Sequence, residues 1–486
     1  MRKYKTKRLF IKDFSSVENS DTSVYSLEKN VPKYCYNIKS ESGRLVSSLG
    51  LEHLSFPASI SNTTEYARGA FSSIYPLKLW RYKYYSTANS KYMYFLVAFC
   101  SDGKLYYNNM FFADLTYHEL SSKVFTQTPS ALSFRDSDGN DIIGFVSPSD
   151  DMVVWYGDNQ PYVEDSVPHL TSMSLHNSRL YAIDETGKFV KYSALTNYLD
   201  WTSSTITGAG TIALNDYKDG LKRILSFKDN LYVFSDHGIS KITSYATGTY
   251  FANSNVYGTA EKIYADTACV CGSRIYFLTS GGLYFFNGYE TFKADLTLDS
   301  MLLSHDQSKA VTAYFGGKLY LSCHLAYEDE TNAEKAMTNN CLVEVNTITH
   351  KCSVVRGLNI NGMITLGDLT IDKLVVSQEG SSYLWQLTKD GKLDTTNLKK
   401  YWKSGKIIVG NYDKDKILKK IYVTSAGDLT ITLLANLSSQ TFSFSGTKKT
   451  NRQVVNMVGR EFEMEITSTD KDFEFEKIEL LFSEEE

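Results

Sequence analysis

A short motif that recurs five times is the feature of this sequence that most constrains its fold. Each copy has a polar turn, then Leu or Ile, in most copies Tyr, and then further apolar residues. The copies are SRLYAI, DNLYVF, SRIYFL, GKLYLS and DKLVVS, anchored on Leu180, Leu231, Ile275, Leu319 and Leu374. The anchors lie 51, 44, 44 and 55 residues apart. This spacing matches one four-stranded propeller blade and is too long for a helical-pair repeat.

Two earlier segments, residues 92–110 and 141–159, carry weaker copies of the same pattern. Counting them predicts about seven blades, with six or eight as alternatives. Glycine permits positive φ at little cost, and glycine turns join the second and third strands at Asp102-Gly103, Thr186-Gly187, His237-Gly238 and Gly281-Gly282. A lone hairpin cannot bury its apolar face. In a propeller each sheet covers its neighbour's face, and circular closure leaves only short edges.

Composition supports an all-β chain. The aromatic fraction is 14%, with 35 Tyr and 26 Phe, and aromatic residues fit the half-buried surface of a sheet. All seven prolines precede residue 169. Since proline removes a hydrogen-bond donor from a strand ladder, its absence afterwards favours continuous sheet.

The patterns divide the chain into three parts. Residues 1–70 have weak periodicity and are expected to form an extended N-terminal arm that contributes to the first blade or to contacts with a neighbour. Residues 71–393 are predicted to form the propeller. Residues 394–486 contain five short strands, several of which alternate apolar and polar residues, as in REFEMEITS. This alternation predicts a C-terminal antiparallel β-sandwich with one buried face.

Charge and apolar content exclude several classes of protein. A formal charge of −4 and a pI near 6.1 provide no general attraction to nucleic acid or to an anionic membrane. The chain has no run of 18 apolar residues, so no membrane span is expected. The basic start, MRKYKTKRLF, has no apolar core after it, so a secretory signal is not expected. It is interpreted as a solvated arm, with a phosphate-binding arm as the alternative. Seven thinly spread cysteines indicate reduced core residues rather than a disulfide framework.

A search for catalytic and binding motifs predicts no catalytic residue, no metal ligand and no cofactor. Gly208, Gly210 and Ala213 have dinucleotide-fingerprint spacing, but no helix follows them. The calcium-like stretch DSDGND at 136–141 has its glycine in the wrong position and is interpreted as a hairpin turn. Cys269 and Cys271 have no second pair or nearby His to complete a zinc site. The eight histidines are scattered.

Four segments resemble virion proteins of tailed bacteriophages. They are NIKSESGRLVSSLG, SRLYAIDETGKFVKYSALTNYLDWT, LKRILSFKDNLYVFSDHGISKI and KYWKSGKIIVGNYDKDKILKKIYV. In order and pattern they are similar to the β-propeller tail-hub, nozzle or DNA-stabilisation proteins of short-tailed phages.

The resemblance implies a structural protein without cofactors, made in the host bacterial cytoplasm and located in the tail or neck of the virion. It implies a homo-oligomeric ring of six or twelve copies around the tail axis. The implied partners are other tail, adaptor or portal proteins, and DNA could pass through the assembly without sequence-specific binding.

Two sets of residues are interface candidates. Tyrosine is enriched in interfaces because it adds contact area with few rotatable bonds, which selects Tyr82, Tyr84 and Tyr85; ordinary strand aromatics are the alternative. The polar insertion AYEDETNAEKAMTNN at 326–340 separates two strands of one hairpin and is expected to project toward a partner or to be a mobile loop. Its candidates are Tyr327, Glu328, Asp329, Glu330 and Met337.

Two other functions are compatible with a propeller. One is a receptor- or glycan-binding module of a tail tip or cell surface. The other is a propeller hydrolase, whose carboxylate pair could lie in loops that sequence does not place in space. Because no catalytic motif was found, we do not expect an enzyme.

Closure predicts that the propeller unfolds as a unit. Deleting the last repeat, around Leu374 to Leu387, should unfold the whole domain, because each blade is held by both of its neighbours. Circular dichroism of the deletion variant should show loss of the native spectrum. A spectrum reduced only in proportion to the deleted strands would contradict closure.

Overall fold

The chain is described by a computed structural model that covers residues 4–17, 22–59, 62–67, 71, 73–110, 116–206, 208–214, 219–244, 251–303, 305–368, 371–436 and 438–485. In these residues the strands form seven four-stranded antiparallel blades, one of them extended by a short hairpin, and two larger sheets. The fold is a seven-bladed β-propeller followed by an antiparallel β-sandwich, as the repeat and the C-terminal alternation predicted.

Blades 1 to 6 follow one another along the chain, each ordered from the innermost strand outward. Blade 1 is Pro76–Ser86, Lys91–Cys100, Leu105–Asn109 and His118–Glu119, and blade 2 is Ser130–Arg135, Asp141–Val146, Met152–Trp155 and Tyr162–Glu164. Blade 3 is Leu170–His176, Arg179–Asp184, Phe189–Tyr192 and Gly210–Ala213, and blade 4 is Leu221–Phe227, Asn230–Ser235, Gly238–Ser244 and Phe251–Gly258. Blade 5 is Ile263–Cys271, Arg274–Thr279, Gly282–Phe286 and Thr291–Lys293, and blade 6 is Val311–Phe315, Lys318–Cys323, Cys341–Asn346 and Cys352–Arg356.

Blade 7 is assembled from both ends of the chain. Its first three strands are Ile360–Asp368, Ile371–Gln378 and Leu384–Thr388, and its fourth is the N-terminal strand Gly50–His53. Leu387 pairs with Leu51 in this antiparallel register. The short hairpin Lys392–Leu393 and Thr396–Asn397 covers the other edge of Gly50–His53, where Leu393 lies beside Leu51 in parallel register.

The ring is closed by contacts between inner strands. Each inner strand contacts the next, and Ile360–Asp368 of blade 7 contacts Pro76–Ser86 of blade 1. The five repeat anchors are buried. They lie in the second strands of blades 3 to 7, where they pack into the cores between neighbouring blades.

The sandwich consists of two sheets of six strands. The first contains Tyr4–Lys12, Ile38–Glu41, Arg44–Ser47, Lys416–Ala426, Lys449–Gly459 and Glu474–Glu485. The second contains Pro32–Tyr36, Lys400–Ser404, Ile407–Ile408, Leu429–Ala435, Ser438–Phe444 and Glu461–Ser468. A further two-stranded hairpin, Ser55–Ser59 with Asn62–Ala67, follows the closing strand of blade 7. The helices found among the described residues are two single turns, Asp299–Leu302 and Asn332–Lys335.

The interpretation of residues 1–70 as an arm for the first blade or a neighbour requires correction. The strands between Tyr4 and Ser47 lie in the sandwich, and Gly50–His53 completes blade 7 rather than blade 1. The physical reason is the shared core: Trp402 is buried against the edge of Phe14, with ring centroids 5.3 Å apart, and its indole N–H donates to the Ser15 carbonyl oxygen at 3.1 Å. Strand Tyr4–Lys12, from the segment interpreted as solvated, pairs along its whole length with Glu474–Glu485.

The two domains are joined by two short connections. Two residues separate Arg44–Ser47 of the sandwich from Gly50–His53 of blade 7, and two separate Thr396–Asn397 from Lys400–Ser404. The Asn37 side chain donates to the Lys399 carbonyl oxygen at 2.7 Å and accepts from the Arg356 N–H at 2.8 Å. Among the described residues, no helix is both long and apolar enough to cross a bilayer.

The closing strand gives a direct test of this architecture. Leu51 is buried in the core of blade 7, so Leu51→Ala should lower the free energy of unfolding by about 2–5 kcal/mol. Urea titration followed by tryptophan fluorescence measures the change. Leu175→Ala, at a position that is 37% exposed on blade 3, is the matched control and should cost less than ~1 kcal/mol. Equal effects of the two substitutions would show that packing of the closing strand does not contribute specially to the stability of the propeller, and would contradict this architecture.

Candidate functional site

The first set of interface candidates divides between the core and the surface. Tyr82 and Tyr84 are 0% and 4% exposed, which corrects their interpretation as surface residues. They face blade 2: the Tyr82 hydroxyl donates to the Asp141 carbonyl oxygen at 2.8 Å and the Tyr84 hydroxyl to the Asp158 carboxylate at 2.7 Å. Tyr85, on the opposite face of the strand, is 49% exposed. Strand alternation explains the division, because successive side chains point to opposite faces.

Tyr85 belongs to a small exposed aromatic patch at the tip of the first hairpin of blade 1. Its ring meets that of Tyr92 edge-on, with centroids 5.3 Å apart, and Tyr92 is also exposed. The Lys83 ammonium lies 4.5 Å from the Tyr92 ring centroid. Arg135 of blade 2 pairs with Asp141 at 2.8 Å, and the same carboxylate accepts from the Tyr85 N–H at 3.1 Å. We call Lys83, Tyr85, Tyr92 and Arg135 the hairpin patch.

The insertion at 326–340 is attached to the body of the protein, which corrects its interpretation as a projecting or mobile loop. Tyr327 is buried, and so is the Glu330 side chain, whereas Glu328 and the Asp329 side chain are exposed. The Met337 carbonyl oxygen contacts the His324 ring. The helix Asn332–Lys335 begins with a capping box, in which Thr331 and Glu334 satisfy each other's backbone N–H groups.

Arg356, the last residue of blade 6, holds the insertion in place. Its guanidinium makes a two-point contact with Glu334, Nε to Oε1 at 2.7 Å and Nη2 to Oε2 at 3.0 Å. Nη1 donates to Asp329 Oδ1 at 2.7 Å, and the Tyr34 hydroxyl donates to the same oxygen at 2.8 Å. The side chains of Arg356 and Glu334 are 7% and 15% exposed, so their charge-assisted pair is largely shielded from water, whereas the Asp329 carboxylate is 57% exposed.

Four tyrosines surround the Arg356 guanidinium at the junction of propeller and sandwich. Tyr36 and Tyr401 of the sandwich stack with centroids 5.4 Å apart, and Tyr34 meets Tyr327 edge-on at 5.7 Å. The guanidinium carbon lies 4.2 Å from the Tyr327 centroid and 4.8 Å from that of Tyr36, within cation–π range. Burial raises the pKa of Tyr36 to about 12. We call these four tyrosines with Arg356 the junction cluster.

Histidines that are scattered in the sequence meet beside the insertion. The rings of His305 and His324 lie 4.0 Å apart, and His324 Nε2 lies 2.8 Å from Glu330 Oε1. The donor atoms of these three residues all lie within 4.8 Å of one another. Burial, and then the neighbouring His324, lower the pKa of His305. We call His305, His324 and Glu330 the histidine cluster.

The Gln307 side chain ties the connection that carries His305 to the backbone of His324. His324 follows the second strand of blade 6, and His305 lies in the connection from blade 5. The buried Gln307 side chain accepts from the His324 N–H at 3.1 Å and donates to the His324 carbonyl oxygen at 2.7 Å. It also reaches the Leu302 carbonyl oxygen, so the connection is tied to the end of the strand.

The inner strands of blades 1, 2, 6 and 7 line a cavity of about 550 Å³. Polar side chains there bond across blade boundaries. Arg81 donates to the Gly367 carbonyl oxygen, Thr365 to that of Tyr314, and Thr312 to that of Thr267, each at 2.8 Å. These groups stabilise blade packing.

Sequence reasoning missed both clusters because their members come together through tertiary structure. Arg356 is the last residue of a buried strand, and its carboxylate partners lie in the insertion. His305 and His324 lie on either side of the first two strands of blade 6. A local signal for the insertion's anchorage was present: Thr331 followed three residues later by Glu334 is the pattern of a capping box. The DSDGND stretch is a hairpin turn as predicted, with Asp136 Oδ1 accepting from the Asn140 N–H at 2.8 Å.

No protein-family model and no curated protein matches this chain. Among solved structures, virginiamycin B lyase from Staphylococcus aureus has 10% sequence identity and a TM-score of 0.43, covering 70% of this chain and 99% of that one. BBS1N in complex with ARL6DN has 9% identity and a TM-score of 0.42, covering 66% and 93%. Likeness at this level carries no inference about activity, and the propeller is assigned from the strand pairing described above.

The junction cluster predicts a large effect of Arg356 on stability. Arg356→Ala should lower the free energy of unfolding by about 3–5 kcal/mol, because it leaves the carboxylate of Glu334 largely buried without its partner. Arg135→Ala removes a guanidinium that is 63% exposed and should leave the urea midpoint almost unchanged. Urea midpoints of the two variants measure the contrast. A loss for Arg356→Ala as small as that for Arg135→Ala would contradict the buried pairing.

The same cluster predicts acid sensitivity. Burial opposes ionisation of Asp329 and Glu334, but bonds from Tyr34 and Arg356 to Asp329, and from Arg356 and Thr331 to Glu334, outweigh it and lower the pKa of both carboxyls. A lowered pKa stabilises the fold above the unfolded pKa of ~4, and that contribution is lost as pH falls through the folded pKa. The stability difference between wild type and Arg356→Ala should therefore shrink between pH 7 and pH 3. A difference independent of pH would contradict this coupling.

Proposed function

We propose that this chain is a structural subunit of a bacteriophage tail or neck that assembles with identical copies into a ring around the tail axis. The proposal starts from the sequence resemblance to tailed-phage virion proteins. The structural observation that supports it most is the way in which the two domains are joined.

The junction between propeller and sandwich favours a rigid building block. Two connections of two residues each link the domains, and the junction cluster fills the space between blade 6 and the sandwich with stacked rings around a paired guanidinium. Motion between domains is the usual expectation for small polar interfaces. Here the buried aromatic contacts and the short connections oppose motion between the domains. Such rigidity suits a subunit of a structural ring.

The hairpin patch is the candidate contact between copies. Its two tyrosines are exposed although the strands around them are buried, and Lys83 and Arg135 add positive charge. Tyrosine and arginine are the residue types that most often dominate interface energetics. In a head-to-tail ring the patch would meet a different surface of the next copy, and rotation about one axis would close the ring.

Particle architecture tests the proposal. The purified chain, alone and co-expressed with the portal and adaptor proteins of its phage, should form rings of six or twelve copies by electron microscopy and sedimentation velocity. Each contact between copies should bury at least ~1,000 Å². A chain that stays monomeric under both conditions, or virions that assemble and retain DNA without it, would contradict the structural role.

A paired substitution tests the hairpin patch itself. Tyr85→Ser with Tyr92→Ser should weaken ring formation at least ~10-fold, as expected when a hot spot worth more than ~1.4 kcal/mol is lost, while the monomer keeps its unfolding midpoint. Tyr289→Ser, at a position that is 78% exposed on blade 5, is the control and should leave assembly unchanged. Equal effects at both sites, or none at the patch, would place the contact elsewhere.

A further inference from the structure

The hydrogen bonds around His324 determine where its proton lies. Its Nδ1 is 3.1 Å from the Met337 carbonyl oxygen, which can only accept, so Nδ1 carries the hydrogen. The opposite nitrogen, Nε2, then has a free lone pair in the neutral ring. It lies 2.8 Å from a carboxylate oxygen, Glu330 Oε1. Two acceptors at this distance repel unless a proton or a metal cation lies between or beside them.

The Glu330 carboxylate is also oriented by a hydrogen bond to a buried side chain. Glu330 Oε1 accepts from the Asn340 amide at 2.8 Å. Asn340 is fully buried and is held by two hydrogen bonds to the Leu325 backbone, at 2.8 and 2.9 Å. The side chains of His324 and Glu330 are 5% and 4% exposed. A buried imidazole and a buried carboxylate therefore converge, each oriented by a separate neutral partner.

This arrangement has the outer contacts that metal ligands need. A histidine that binds a metal through one nitrogen usually donates its other N–H to a carbonyl or carboxylate, and ligating carboxylates are themselves hydrogen-bonded. Met337 and Asn340 provide those contacts. His305 lies two residues before Gln307, whose side chain bonds to the His324 backbone, and its ring lies 4.0 Å from that of His324. It adds a second imidazole.

We propose that the histidine cluster binds one Zn²⁺ ion through His305, His324 and Glu330, with water in the fourth position. Two imidazoles and one carboxylate form a known zinc-binding set, and imidazole ligands favour zinc over the hard cations calcium and magnesium. Ligands at ~2.0–2.2 Å from zinc lie ~3.3 Å apart in a tetrahedron. Zinc binding would bring the three donor atoms, which now lie within 4.8 Å of one another, to this separation. This site departs from the expectation, drawn from the sequence, that the chain needs no metal.

The ion would connect three parts of the chain that the backbone leaves separate. His305 belongs to the connection from blade 5, His324 to the end of a blade 6 strand, and Glu330 to the insertion. Glu330 lies one residue from Asp329, which Arg356 holds in the junction cluster. Zinc would therefore stabilise the insertion and, through it, the contact between propeller and sandwich.

Titration with zinc alone tests the site. Protein treated with a chelator and then dialysed should bind one Zn²⁺ per chain by isothermal titration calorimetry, and Zn²⁺ should raise its thermal midpoint, since a ligand that binds only the native state stabilises it. Calcium and magnesium at the same concentration should leave the midpoint unchanged. His305→Ala and Glu330→Gln should each weaken zinc binding at least ~100-fold. Loss of an outer-shell contact costs up to ~100-fold in metal affinity, and loss of a direct ligand should cost at least as much.

His350→Gln is the matched control. His350 also lies in blade 6, but it contacts the Tyr276 hydroxyl at 3.1 Å and is not a member of the cluster, so its loss should leave zinc affinity unchanged. If Glu330→Gln does not fold, His305→Ala decides the question, because His305 lies outside the blade strands. Absence of stoichiometric zinc binding by the wild type, or affinity unchanged in His305→Ala, would overturn the proposal.

Discussion

The pairing of Gly50–His53 with Leu384–Thr388 is the interaction on which the rest of the structure depends. It completes blade 7 with a strand from the other end of the chain, so the ring is closed by non-covalent contacts between segments more than 300 residues apart. Gly50 shows how close this approach is, because a Cβ there would overlap the Lys392 backbone. The strand also has partners on both edges, with Leu393 beside Leu51 on the second. It is therefore an interior strand rather than a frayed edge.

Closure also joins the domains. The closing strand follows Arg44–Ser47, which lies in the sandwich beside Glu474–Glu485. The N-terminal segment thus belongs to both cores at once, with Phe14 packed on Trp402 and Leu51 packed in blade 7. Loss of the closing strand would expose apolar surface in the propeller and would free the strands that complete the sandwich. A ring that is closed in this way, with a second domain held across the junction cluster, is expected to resist local deformation.

The propeller could be predicted from sequence because its signal is local and repeated. Each anchor, from Leu180 to Leu374, is adjacent in sequence to its turn and to the strand it pairs with. The burial of these anchors could therefore be predicted without knowing any distant partner. The alternating strand around Phe462, Met464 and Ile466 predicted a buried face for the same reason, and all three are buried. The placement of the strands between Tyr4 and His53 could not be predicted. All but Tyr4–Lys12 have only four or five residues, and apart from the local pair Ile38–Glu41 with Arg44–Ser47 their partners lie near the far end of the chain. Arg356 and the histidine cluster were missed for a related reason: each depends on contacts between the insertion at 326–340 and residues outside it.

Hydrogen exchange followed by mass spectrometry tests the closing strand most directly. If Gly50–His53 is an integral strand of blade 7, its amides should exchange as slowly as those of Leu384–Thr388, and both should be released together as denaturant is added. The same peptide should lose protection at the denaturant concentration at which Arg44–Ser47 loses it. Fast exchange of Gly50–His53 while Leu384–Thr388 stays protected would contradict the account, because blade 7 would then be stable without its N-terminal strand.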